Sequence, residues 1–169
     1  ILPRQAVHDS SSVTYPVFTA IAAPEVQNKL NGDFAIIAGP YLQNLATGGC
    51  ELDYTLTFVS EKFISMVFFG VLDEGEKEIF AKIPLNIDVQ TGAQLALGDV
   101  LNLRDADLLP VLRLLTKKDK VDFSKGIPES WYYNGTNCVF CQRSETGEWL
   151  EATVAASDLK KFLLKPELF

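Results

Sequence analysis

The chain has 169 residues, 47% of them hydrophobic, and a formal net charge of −7. That length and apolar share suit one domain with a core of its own, needing neither metal nor disulfide staples. The acidic balance excludes a protein that tracks nucleic acid, which requires a concentrated basic surface, and no apolar run reaches the roughly 18–20 residues that span a bilayer.

Residues 1–12 are polar, end in Asp9-Ser-Ser-Ser12 and read as a flexible leader. The start at Ile1 is what removal of a signal or tether, or a trimmed chain, would leave. Val13–Ile21 predicts a first strand, with Pro16 placing it at an edge or a bulge. Pro24 suits the first turn of a helix, where its missing N–H loses nothing. Val26, Leu30, Phe34, Ile37 and Leu45 then recur at near-helical spacing up to Gly48-Gly49. Gly32 and Gly39-Pro40 should kink this helix or divide it into two.

Three strands are expected next. Glu51–Val59 alternates apolar and polar side chains, Phe63–Val71 is continuously apolar, and Glu78–Val89 follows a turn at Asp73-Glu-Gly-Glu-Lys77. Glu74, Glu76 and Glu78 have the spacing of a solvated turn. A leucine-rich amphipathic helix is predicted within 104–118, with Leu108, Leu112 and Leu115 on one face, an acidic start and a basic end. A second hairpin follows: Trp131–Arg143, broken at Asn134-Gly135, then Glu148–Ala155. A short helix near Ser157–Leu163 would be capped by Ser157 or Asp158. Asn134-Gly-Thr136 reads as a turn in preference to a glycosylation acceptor. The fold class expected is α+β, an antiparallel meander sheet packed by helices. Residues 13–165 would form the single domain, with an N-terminal half of about 13–72 and a C-terminal half of about 73–165.

The reactive inventory is thin. His8 stands alone in the polar leader, so neither a Ser-His-Asp nor a Cys-His set is readily built. Three cysteines and one histidine do not furnish a structural zinc site. Cys138-Val-Phe-Cys141 has redox spacing but strand-like flanks. Two strand residues three apart face opposite sides, about 10 Å from each other, too far for a mutual disulfide. Packing cysteines are expected, and a bridge from Cys50 to either one stays open and would suit an oxidising compartment. Asp88, near Thr91-Gly92, lacks the direct juxtaposition of an aspartic-protease loop and reads as an outward strand residue before a turn made by Gly92. Asp99 is expected to start a short helical turn.

The run Pro84-Leu-Asn-Ile-Asp-Val-Gln-Thr-Gly92 with Leu97-Gly-Asp-Val-Leu101 resembles a signature of an extracytoplasmic bacterial domain. It is found in RsiV-type anti-sigma factors and beside the catalytic module of PdaC-type peptidoglycan deacetylases. Tyr15-Pro-Val-Phe18, Pro24-Glu-Val-Gln-Asn-Lys-Leu-Asn31, Trp131-Tyr-Tyr133 with Cys138-Val-Phe140, and Ala156-Ser-Asp-Leu159 extend the resemblance over nearly the whole chain. It implies a domain of unknown function without catalysis, extracytoplasmic, secreted or tethered to the cell envelope. RsiV-type members bind lysozyme. This chain departs at Gly70–Lys77, which has no histidine, and at Gln142–Gly147, where a long loop is missing, so lysozyme is not carried over as its partner.

The functional expectation is therefore a binding or sensing module that contacts a protein or a cell-wall glycan, with no catalytic residues, no metal and no cofactor. Trp131, Tyr132, Arg143 and Trp149 are the candidate ligand-binding residues, because exposed aromatics stack on sugar rings or anchor partners. Tyr133 is a further aromatic candidate; core packing is the better reading for at least half of these rings, and Arg143 and Glu145, in a hairpin turn, also fit ordinary surface charges. The alternative is a carboxylate-based hydrolase or a thiol-redox protein. Oligomeric state is left open.

Overall fold

The structure, a computed structural model, describes residues 1–21, 23–73, 75 and 77–169. Glu74 and Glu76 of the expected acidic turn lie outside the described residues. The elements are β1 (Leu2–His8), β2 (Ser11–Val17), α1 (Pro24–Asn44), β3 (Cys50–Val59), β4 (Phe63–Asp73), β5 (Glu78–Asp88), α2 (Leu97–Val100), α3 (Leu108–Leu115), β6 (Ser130–Tyr133), β7 (Asn137–Arg143) and β8 (Trp149–Ala155). They form a mixed five-stranded sheet in the order β1-β2-β3-β4-β5 and a three-stranded sheet in the order β6-β7-β8. The α+β class is as expected, and strand order follows chain order in both sheets. The chain divides into two compact units.

The first unit comprises Ile1–Leu56, Val67–Ile83 and Asp88–Ala93. Residues 2–8, read from their polarity as a leader, are instead strand β1, paired antiparallel with β2 from Leu2↔Val17 to His8↔Ser11. Its side chains are almost all exposed, so pairing with β2 holds it and no buried face announces it. β2 runs parallel to β3 at Ser12↔Glu51 and Val13↔Leu52 because α1 carries the chain back between them, where a plain meander would be antiparallel. Pro16 lies beyond that short ladder and faces Pro3 across β1, so two residues without N–H groups oppose one another.

α1 is one helix of 21 residues, undivided at Gly39-Pro40. It buries Val26, Leu30, Phe34, Ala38 and Tyr41, three or four apart along one face. Phe34 packs between Phe18 at 5.5 Å and Phe68 of β4 at 6.0 Å. Pro40 is exposed and Ile36 is 75% exposed, so the carbonyl that Pro40 leaves unpaired is on the wet side and the helix runs on. The phenol end of Tyr41 packs against Gly70, where any β-carbon would collide with it. Asp88 closes β5 as a turn residue: its Oδ1 accepts the N–H groups of Gln90 (2.9 Å) and Thr91 (3.1 Å), and Gly92 takes φ 65°.

The second unit comprises Thr57–Met66, Pro84–Ile87 and Gln94–Phe169. Phe63, Leu97, Val100, Leu108, Leu112, Phe140, Leu159 and Phe162 form the centre of its core. α2 begins at Leu97; Asp99, its third residue, reaches back to accept the Ala96 N–H at 2.8 Å. The closing segment Ala156–Phe162 is a 3-10 helix with no side-chain cap, and the Ala156 N–H donates to the Thr136 carbonyl at 3.0 Å instead. β6 is an edge strand, and side chains meet two of its outward backbone groups. Ser65 of β4 accepts the Tyr133 N–H at 2.9 Å and donates to Asn86 of β5 at 2.7 Å, while the Asn86 amide donates to the Trp131 carbonyl at 2.7 Å. Both polar side chains are buried, at 0% and 2% exposure, and both are satisfied.

Candidate functional site

Strand alternation sorts the small sheet into two faces. Trp131, Tyr133, Cys138, Phe140, Ala152 and Val154 point into the core. Tyr132, Val139, Cys141, Arg143, Trp149 and Glu151 occupy the opposite, outer face, with Arg143 directly across from Trp149 and Cys141 across from Glu151. Three of the four candidate residues thus share a face, and the fourth does not. Trp131 is 2% exposed and stacks on Phe63 at 6.5 Å, so its ring has no free surface to offer a ligand.

On the outer face the Tyr132 hydroxyl donates to Glu151 Oε1 at 2.9 Å, and the Cys141 thiol lies 3.8 Å from the same oxygen. Burial, the hydrogen bond to Glu151 and its charge all push the Tyr132 phenol far above its usual range, so the hydroxyl remains a donor. Trp149 is half-buried, and among the described residues no group accepts its indole N–H. The exposed Arg143 bonds its own hairpin through Nε to the Gly147 carbonyl at 3.3 Å. Its hairpin borders a cleft of about 330 Å³ lined by Lys120, Asp122, Lys125, Gln142 and Glu145, with Lys125 and Glu145 3.5 Å apart. A second cleft of about 330 Å³ lies between Pro84 and Asn86 on one side and Glu129 to Trp131 on the other. On the outer face the Arg143 cation and the Trp149 indole stand side by side, while the Tyr132 phenol lies four residues further along the strands, opposite the buried Val139. The first pair suits recognition of a polyhydroxylated or carboxylate-bearing surface.

All three cysteines are buried, and no disulfide joins any two of them. Cys138 and Cys141 emerge on opposite faces of β7, as strand geometry requires. Burial pushes the Cys138 thiol from its ordinary value near 9 up to about 12, which keeps it protonated and unreactive at neutral pH. A raised folded-state value favours the neutral form. The stability Cys138 contributes is therefore complete below about pH 9 and is lost as pH climbs toward about 12. Replacing Cys138 with alanine should flatten the alkaline limb of a urea-stability profile; an unchanged limb would show that the thiol does not titrate as placed.

Glu151 was not singled out from sequence, although the alternation Trp149-x-Glu151-x-Thr153 carries the signal. Ser65 and Asn86 had no signal beyond being polar within apolar strands.

The fold defined by these elements is the one adopted by DUF3298 proteins, a family of unknown function. A DUF3298 protein from Bacteroides fragilis aligns over 96% of this chain and 90% of its own with a TM-score of 0.65 and 13% identity. One from Pseudomonas aeruginosa aligns over 99% and 94% with a TM-score of 0.63 and 12% identity. At such identities the likeness is one of fold. No family model matches the sequence, and no curated protein does. No helix among the described residues is long and apolar enough to cross a membrane.

Proposed function

We propose that this chain is a non-enzymatic, extracytoplasmic binding module of a bacterial cell envelope, which contacts a protein or a cell-wall glycan through the outer face of β6–β8. The observation that carries the reading is the placement of Arg143 opposite Trp149 on the face that also bears Tyr132. Indole and phenol rings supply stacking area at small entropic loss, and the guanidinium supplies directional donors for carboxylate or hydroxyl groups. The resemblance of the Pro84–Leu101 run to the RsiV- and PdaC-type domain supports the envelope setting, and both fold neighbours come from bacteria.

Calorimetric titration with soluble peptidoglycan fragments in one arm, and with purified secreted wall-active proteins in the other, tests this. Trp149→Ala and Arg143→Ala should each weaken the productive arm by about tenfold or more while the circular dichroism spectrum is retained. Wild-type affinity in both variants would refute the assignment of the face. Turnover of a wall fragment that vanishes in Glu151→Gln or Cys141→Ala would replace the binding module with an enzyme.

A further inference from the structure

We propose that the C-terminal end of α3 docks on an anionic phospholipid surface, Leu114 and Leu115 entering the headgroup layer and Lys117, Lys118 and Lys120 lying over it. The inference is independent of the outer face of β6–β8 and goes beyond it.

α3 is more apolar than its burial requires. Leu108, Leu112 and Thr116, four residues apart, form the stripe turned into the core, each at 4% exposure or less. The adjoining flank carries Val111, Leu114 and Leu115, with Leu114 61% and Leu115 42% exposed. A surface helix ordinarily ends its apolar stripe where the core ends and continues with charged residues. Here two leucines in one turn continue it into solvent.

Cations begin where the leucines stop. Lys117, Lys118 and Lys120 are exposed and form no ion pair among the described residues. Asp119, the acid between them, turns its carboxylate to the Thr153 N–H at 3.3 Å. Arg113, in the last turn of α3, is held to the Phe123 carbonyl at 3.0 and 3.2 Å. Lys120 also borders the cleft with Lys125 and Arg143, where Asp122 and Glu145 offset part of the charge.

The pairing of exposed leucines with unpaired ammonium groups selects the occupant. Cations alone would suit any polyanion, and leucines alone any apolar groove. Together they match an anionic bilayer, which takes up a protruding apolar tip while its headgroups attract the flanking lysines. Neither leucine lines any of the clefts described above, so this flank offers a tip and no recess. With a chain charge of −7, attachment has to be local and oriented.

Co-sedimentation with vesicles of phosphatidylglycerol and phosphatidylcholine, against vesicles of phosphatidylcholine alone, tests the proposal. The wild type should pellet with the first and not the second, and added salt should release it. Lys117→Glu with Lys118→Glu should lower partitioning roughly 30-fold or more. Leu114→Ser with Leu115→Ser should lower it about tenfold, while Trp149→Ala should bind vesicles as the wild type does. The lysine pair is surface-exposed and keeps the test valid if the leucine pair alters folding. Absence of pelleting with anionic vesicles, equal pelleting with neutral ones, or wild-type partitioning of the lysine pair would each overturn it. So would a lipid-free dimer that the leucine substitutions dissociate, since a second copy would then be the occupant.

Discussion

Replacing Phe63 with alanine is expected to destabilise the protein by about 3–5 kcal/mol, a large part of the roughly 5–15 kcal/mol that holds a domain folded. Phe63 is 0% exposed, and four rings surround it: Phe58 at 5.9 Å, Phe169 at 6.0 Å, Tyr133 at 6.2 Å and Trp131 at 6.5 Å. Three of these rings are held in strands, Phe58 in β3 and Trp131 and Tyr133 in β6, and cannot close over the space a lost phenyl leaves, so the transfer and cavity penalties both apply. Urea unfolding followed by tryptophan emission measures the effect, and Phe63→Leu should restore more than half of it. A loss below about 1 kcal/mol for the alanine variant would mean that the ring cluster collapses freely and is no keystone of this core.

Asn86→Ala should lose about 2–4 kcal/mol through a different mechanism, since two buried groups are stranded at once. The Ser65 hydroxyl loses its acceptor, and the Trp131 carbonyl loses the donor that meets it at the edge of β6. Leucine at 86 would not rescue the fold, because the backbone carbonyl would still face an apolar side chain. Ser65→Ala alone should cost less, yet it strands the Tyr133 N–H. The double variant should be less destabilised than the two single losses added together, by about 1 kcal/mol, as neighbours in one network behave. Strict additivity in the urea midpoints would show that the two side chains act separately.

Much of the architecture was readable from residue order, for reasons tied to burial. β3, β4 and β5 were placed at 51–59, 63–71 and 78–89 and fall at Cys50–Val59, Phe63–Asp73 and Glu78–Asp88, because the runs alternate or stay apolar and are bounded by turn residues. The four-residue recurrence of Val26, Leu30 and Phe34 marked α1, but Gly39-Pro40 suggested a break that an exposed helix face does not need. β1 escaped notice because a strand held by its neighbour's backbone and solvated on its side chains leaves no hydrophobic trace. The parallel pairing of β2 and β3 depends on where α1 returns the chain, which is a tertiary fact. In the candidate site, Trp131 and Tyr132 are adjacent in a strand and cannot share a face. Alternation alone separates them, and it groups Tyr132 with Arg143, Trp149 and the overlooked Glu151.

The sealing of β6 by Ser65 and Asn86 bears on how copies of this protein behave when crowded together. A strand with bare peptide groups along its rim invites a foreign strand to zip onto it and so seeds fibres. Here that rim is already occupied at Trp131 and Tyr133 by a hydroxyl and an amide rooted in β4 and β5. The three-stranded sheet is thereby hindered from growing along β6, and a strand that joined it would do so along its other edge, β8.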